Sequence, residues 1–192
     1  MINKNENKIP IKGYASYHPL KHCMVGSGFH IDWFKGFFSD KKIIDPLQRI
    51  AEETEEDFLE LSSILTKAGV EVYRPKLEIE KYSSLRDTYR PPMTPRDHFG
   101  VIGEKFYAVQ YAQGYSNVLK QIKKEQLYIK PRDTVYSGTI DTASILRAGK
   151  DLYWGHDPKY GDPTEYVRMF EREGFRVHLL ERDYHSDAVI SL

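Results

Sequence analysis

An α/β fold built from a repeated strand–turn–strand–helix–strand unit is the architecture this sequence predicts, on three observations. A glycine followed by a strand-like run occurs twice, at Gly69-Val70-Glu71-Val72-Tyr73 and at Gly174-Phe175-Arg176-Val177-His178. A hairpin-like segment also occurs twice. Val101-Ile102-Gly103-Glu104-Lys105-Phe106-Tyr107 resembles Leu146-Arg147-Ala148-Gly149-Lys150-Asp151-Leu152-Tyr153, each a strand, a glycine turn and an aromatic return strand. Acidic residues precede successive strands at Asp97, Asp141 and Asp187, 44 and 46 residues apart. A period of roughly 45–50 residues is the mark of arrays and propellers. The same pattern also fits a generic α/β domain whose βα units look alike by chance.

The elements follow in order. Residues 1–12 form a polar tail that mixes Glu6 with lysines, with neither the apolar stretch of a signal peptide nor the arginine-rich face of a transit peptide. One domain is expected over 13–192. His22-Cys23-Met24-Val25-Gly26 reads as a short apolar strand. Asp45-Pro46 reads as the start of a helix, an N-cap followed by proline at the first helical position. Leu47, Ile50, Ala51, Phe58, Leu61, Ile64, Leu65 and Ala68 supply its apolar face, with Glu52, Glu53, Glu55, Glu56 and Asp57 placed early, where the helix dipole favours acids. Gly69 ends it. A second helix repeats the recipe: Asp162-Pro163 opens it, Tyr166, Val167 and Phe170 give its apolar face, and Gly174 stops it. Tyr82 to Pro95 reads as loop, and Tyr111 to Lys124 as a helix weakened by Gly114. Ala188-Val189-Ile190-Ser191-Leu192 has high β-propensity. By the repeat a hairpin partner should follow it, so a fragment, a truncated product or a half needing another chain is expected. Alternatively, the strand closes a sheet within the chain.

Composition narrows the function. The 192 residues are 40% apolar and 29% charged, with 28 basic and 28 acidic residues. This is ordinary for a soluble globular chain, and its zero net charge gives no reason to expect nucleic acid or an anionic membrane as partner. No apolar run is long enough for a membrane span. Cys23 is the only cysteine. It cannot form an intrachain disulfide and fits a reducing compartment, the cytoplasm by default.

Three clusters are candidates for chemistry. Arg96-Asp97 sits in a proline-bounded loop at a strand junction, where a carboxylate can grip a guanidinium bidentately or the pair can simply pin the loop. His185-Ser186-Asp187 places two titratable groups on one side of an extended segment, or is an ordinary surface histidine and strand-flanking acid. Asp141 stands in a stretch of small residues, as a cleft carboxylate or as a turn or helix cap. His18 and His22 are four apart, but Pro19 argues against one helix and no third metal ligand is evident. No metal or other cofactor is expected. Cys23 reads as a small core residue.

Together these segments resemble the glycine and inosamine-phosphate amidinotransferases. Pro91-Pro92-Met93-Thr94-Pro95-Arg96-Asp97 with Val101-Ile102-Gly103 is similar to a central segment of that family. Ile140-Asp141-Thr142-Ala143-Ser144-Ile145-Leu146-Arg147-Ala148-Gly149-Lys150-Asp151 is similar to its FDAADFIRAGRD stretch, and His185-Ser186-Asp187-Ala188 to its HIDAT. Tyr17-His18-Pro19-Leu20-Lys21 before Cys23 is similar to its opening DPLKEVIVG strand. The resemblance implies a pentein fold, a five-bladed propeller of ββαβ units, of which this chain would hold about three. It implies transfer of an amidino group from arginine to an amine such as glycine, through a cysteine thioether. Asp97 and Asp187 would hold the guanidinium, with Arg96 beside them. His185 would move protons and Asp141 would orient or charge the site. Ser144 departs from the family aspartate, and no residue matches the nucleophilic cysteine, which the family carries near the end of a chain about twice as long. The resemblance therefore implies a partial enzyme, active only with the missing part or a complementing chain; a homo-oligomer is the other assembly expected. A related arginine deiminase or dimethylargininase type of hydrolase, and a non-catalytic guanidino-ligand binder or partner subunit, are the alternatives.

Overall fold

The computed structural model describes residues 8–15, 17–28, 38–76, 93–108, 115–129, 142–158 and 161–181. In chain order the elements are β1 (His22–Met24), α1 (Lys41–Lys67), β2 (Glu71–Tyr73), α2 (Pro95–His98), β3 (Phe99–Ile102), β4 (Lys105–Ala108), α3 (Ser116–Leu119), β5 (Leu127–Ile129), β6 (Ile145–Ala148), β7 (Asp151–His156), α4 (Thr164–Arg172) and β8 (Arg176–Glu181). Short 3₁₀ turns at Lys124–Gln126 and Thr142–Ser144 precede β5 and β6. The chain divides into two compact units. One comprises Met1–Pro19, Arg96–Tyr111 and Ile122–Leu192, and the other Leu20–Pro95 and Ala112–Gln121.

In the second unit, β1 and β2 run parallel with Cys23 opposite Val72, and α1 connects them. The helix starts earlier than Asp45-Pro46. Asp40 is its N-cap, and its carboxylate accepts the Lys42 N–H at 2.9 Å. Pro46 lies inside, at the cost of one backbone bond in the second turn. The first turn consequently holds no acid, and the acidic run falls in mid-helix, where the dipole favours it little. The expected apolar face is also corrected. Only Ala51 is buried, while Ile50 and Ile64 are 56% and 55% exposed. Length explains this: 27 helical residues span about 40 Å at 1.5 Å per residue, whereas a three-residue strand spans about 10 Å. Two such strands cover only part of the helix. Gly69 ends it as expected, at φ 81°.

Beyond the C-terminal ends of β1 and β2 lies an ion-pair network. Arg74 Nη2 donates to Gly26 O at 2.8 Å, Ser27 Oγ at 3.0 Å and Glu55 Oε2 at 3.0 Å. Glu55 Oε2 also accepts the Gly28 N–H at 3.0 Å. Nε and Nη2 of the guanidinium are thereby tied to groups of its own unit, which makes Arg74 a structural residue. Of the helix expected over Tyr111–Lys124, residues 111–114 lie outside the described residues, and the rest is α-helical only in the single turn α3, with 120–123 outside any helix. Of the loop expected over Tyr82–Pro95, residues 82–92 lie outside the described residues, and Pro95 opens α2. Ala188–Leu192 also lies outside them.

In the first unit the repeated segment appears twice. β3 and β4 are antiparallel and β4 and β5 parallel; β6 and β7 are antiparallel and β7 and β8 parallel. β6 begins at Ile145, 46 residues after the start of β3 at Phe99. Gly103 and Gly149 make the two hairpin turns at φ 60° and 66°. Asp162 and Gly174 bound α4 as expected: the Asp162 carboxylate accepts the Thr164 N–H at 2.9 Å, and Gly174 sits at φ 84°. Tyr166 and Phe170 are buried with Ile102, Tyr107, Ile145, Leu152, Trp154 and Phe175 in one core. Tyr107 Oη donates to Glu173 Oε2 at 3.2 Å, tying β4 to the end of α4. Ile9 and Ile11 are buried, and Gly13 exchanges backbone bonds with Gly103 at 2.7 and 2.9 Å.

Asp151, first residue of β7, accepts from Arg176 Nε and contacts His178 Nε2, each at 2.8 Å. These bonds hold its carboxyl down at about 2. A folded-state value below that of the free side chain adds stability above the unfolded value near 4, and this is lost as pH falls toward 2. Asp151→Asn should therefore lower the melting temperature at pH 5–7 and close the gap to wild type toward pH 2. A constant gap in melting curves across that range would refute this. No helix among the described residues is long and apolar enough to cross a membrane.

Candidate guanidinium site

Asp97 lies in α2, one turn long, where Pro95 takes the first position and its missing N–H matters least. The sequence predicted a loop–strand junction here, and the structure puts a helical turn directly before β3. The last carbonyls of a helix have no partner within it. One carbonyl of this turn and the first of β3 are met by a residue more than 40 positions away: Thr142 Oγ1 lies 2.6 Å from Arg96 O and 2.8 Å from Phe99 O. A hydroxyl carries one hydrogen, so the two acceptors share it.

Thr142 is 5% exposed and opens the 3₁₀ turn Thr142–Ser144. It approaches β3 so closely that a Cβ on Gly100 would stand 2.5 Å from Thr142 Cγ2 and 2.7 Å from its Cβ. Only glycine fits at that point of the strand. Arg96 extends over the same turn, with Nη2 3.5 Å from both Ala143 O and Ile145 O, long contacts that brace rather than bind. Arg147 of β6 donates to Val101 O. Burial, with a smaller contribution from Arg96, lowers the Arg147 pKa. A Cβ on Gly13 would stand 2.6 Å from Arg147 Nη1.

Of the five residues singled out from the sequence, Arg96 and Asp97 are described. Asp141, His185 and Asp187 lie outside the described residues. The chain neighbour of Asp141 is nevertheless fixed against the turn of Asp97, through Thr142. Sequence reading missed Thr142, Gly100 and Arg147 as members of this junction. The small-residue stretch Gly138 to Ala143 was the signal available, because close approach needs small side chains.

Cys23 belongs to β1 of the other unit. It is partly buried, its Sγ lies 3.7 Å from Met24 O, and burial pushes the thiol pKa up. That is the opposite of what a nucleophilic thiolate needs. Among the described residues no three or more His, Cys, Asp or Glu side chains stand together as a metal site.

No family model matches the sequence, and no curated protein matches it. Solved structures do match. Inosamine-phosphate amidinotransferase StrB1 from Streptomyces griseus superposes with a TM-score of 0.66 and 19% identity, over 93% of this chain and 65% of that protein. SxtG, an amidinotransferase of the saxitoxin biosynthetic pathway from Microseira wollei, gives 0.62 and 18%, over 93% of this chain and 64% of that one. A dimethylarginine dimethylaminohydrolase gives 0.55 and 12%, over 88% of this chain and 63% of that one. The chain thus spans a little under two thirds of the length of each. At these identities the likeness establishes architecture, and this chain has the mixed α/β fold shared by the amidinotransferases and the dimethylarginine dimethylaminohydrolase, as its motifs implied.

Proposed function

We propose that this chain is the guanidinium-binding portion of an arginine-dependent amidinotransferase with a pentein propeller fold, about three of its five blades. The observation that carries the reading is the junction of Thr142 with the Asp97 turn, which ties the segment following one candidate carboxylate to the segment bearing another. A guanidinium is a weak electrophile whose plane must be held before attack. Asp97 and Asp187 would hold it by charge-assisted hydrogen bonds, with Arg96 bracing the Asp97 turn at the edge of the site. His185 would protonate the departing amine and later take a proton from the acceptor, glycine or a similar amine. Asp141 would orient the group or balance its charge. The thiol that carries the amidino group between the two amines would come from outside these residues, on a longer or complementing chain. No cofactor is needed for these steps. A cytoplasmic setting suits the lone reduced cysteine. The likeness to a dimethylarginine dimethylaminohydrolase favours a hydrolytic variant as the second reading, with water in place of the acceptor amine.

Calorimetric titration of the purified chain with arginine tests the proposal, beside an assay for ornithine and citrulline with glycine present. Arginine should bind, Asp97→Asn should weaken binding about tenfold or more, as expected for losing a charge-assisted hydrogen bond, and neither product should form. Arginine binding that ignores Asp97→Asn would overturn the reading. Product that disappears in Cys23→Ala would make Cys23 the nucleophile and contradict the assignment of an external thiol.

A further inference from the structure

From the hydrogen bonds of the Thr142 hydroxyl we infer that Thr142 is a positioning residue for Asp97, an inference that rests on the guanidinium-binding reading above. A single turn of helix is not self-supporting, because nucleation fixes several residues in return for one hydrogen bond. α2 has four residues, so its geometry must be imposed from outside. Thr142 Oγ1 does so at two points, Arg96 O and Phe99 O, which bracket Asp97 and His98 in sequence. Its methyl group is seated against Gly100, where no other residue leaves room. Thr142 is buried, so water does not compete for the two carbonyls. The hydroxyl thus sets the position of the Asp97 turn relative to β3, while the methyl fills the space over Gly100. A carboxylate that grips a planar guanidinium loses affinity when its direction wanders, so the hydroxyl should act on ligand affinity through Asp97 without touching the ligand.

Two variants separate this from plain packing. Thr142→Val keeps the shape and removes the donor, whereas Thr142→Ser keeps the donor and removes the methyl. The measurements are amide hydrogen exchange of residues 96–99 and arginine affinity by titration. Thr142→Val should speed exchange at these amides and weaken arginine binding, each about tenfold, the equivalent of one lost hydrogen bond. Thr142→Ser should restore both to within about twofold of wild type. Unchanged exchange in Thr142→Val would overturn the inference whatever the ligand does. Faster exchange with unchanged affinity would reduce Thr142 to a structural residue and also overturn it, as would equal damage from both variants. If wild type takes up no arginine, the guanidinium reading fails by itself, and the exchange measurement still decides whether the hydroxyl holds the turn.

Discussion

Phe170→Ala should cost the first unit about 3–5 kcal/mol, the range for truncating a fully buried aromatic side chain. Phe170 is 0% exposed. Its ring stands edge-on to Tyr107 at 5.5 Å and to Trp154 at 6.4 Å between centroids. The three residues come from α4, β4 and β7, so one ring closes the core that the two three-stranded sheets share. Truncation removes the transfer energy of the ring and leaves a cavity whose walls are aromatic and resist collapse. Set against a typical domain stability of about 5–15 kcal/mol, such a loss is a large part of the whole. Phe170→Leu should cost less, about 1.5 kcal/mol or under if its volume is accommodated. Urea unfolding gives the difference, and hydrogen exchange at β4 and β7 amides localises it. A loss below about 1 kcal/mol for Phe170→Ala would mean that α4 does not close this core.

Gly100→Ala should destabilise by about 1–3 kcal/mol, the range for overpacking a filled interior. The new methyl would stand 2.5 and 2.7 Å from carbon atoms of Thr142, well inside the roughly 3.5–4.0 Å of favourable contact. Thr142 cannot retreat freely, since its hydroxyl is held on Arg96 O and Phe99 O. The strain should pass into the turn that carries Asp97, so on the proposed guanidinium-binding reading arginine affinity should fall together with stability. In a Thr142→Gly background, which lacks both of the contacting carbon atoms, the clash is relieved and the penalty should shrink. A double-mutant cycle should therefore return a coupling of about 1 kcal/mol or more, within the range for residues in contact. Additive effects would show that strand and turn yield independently.

The hairpins, the order of the repeat and the ends of α4 were legible because each is dictated locally. Gly103 and Gly149 occupy turns with positive φ, Asp162 accepts the first N–H of the helix that follows it, and the spacing of Tyr166 and Phe170 marks a buried face. The start of α1 was not legible. Asp40 and Asp45 are both acceptable caps, and the proline after Asp45 made the wrong one look better. Nor did its apolar spacing reveal how little of that helix its short strands would cover, because periodicity marks a face but not the area available to bury it.

The candidate site divides in the same way. Asp97, Asp141, His185 and Asp187 were chosen from residue type and motif, and of these Asp97 alone lies among the described residues. The sequence by itself determined the repeated α/β plan, its turn glycines and its helix stops, because backbone conformation and side-chain periodicity are properties of neighbouring residues. Tertiary structure alone decided that Thr142 meets the carbonyls of Arg96 and Phe99, that Gly100 must lack a side chain, and that Arg74 bonds Gly26, Ser27 and Glu55. Those partners lie 19 to 48 residues apart, and a hydrogen bond or a steric contact acts over a few ångströms of space, whatever the separation along the chain.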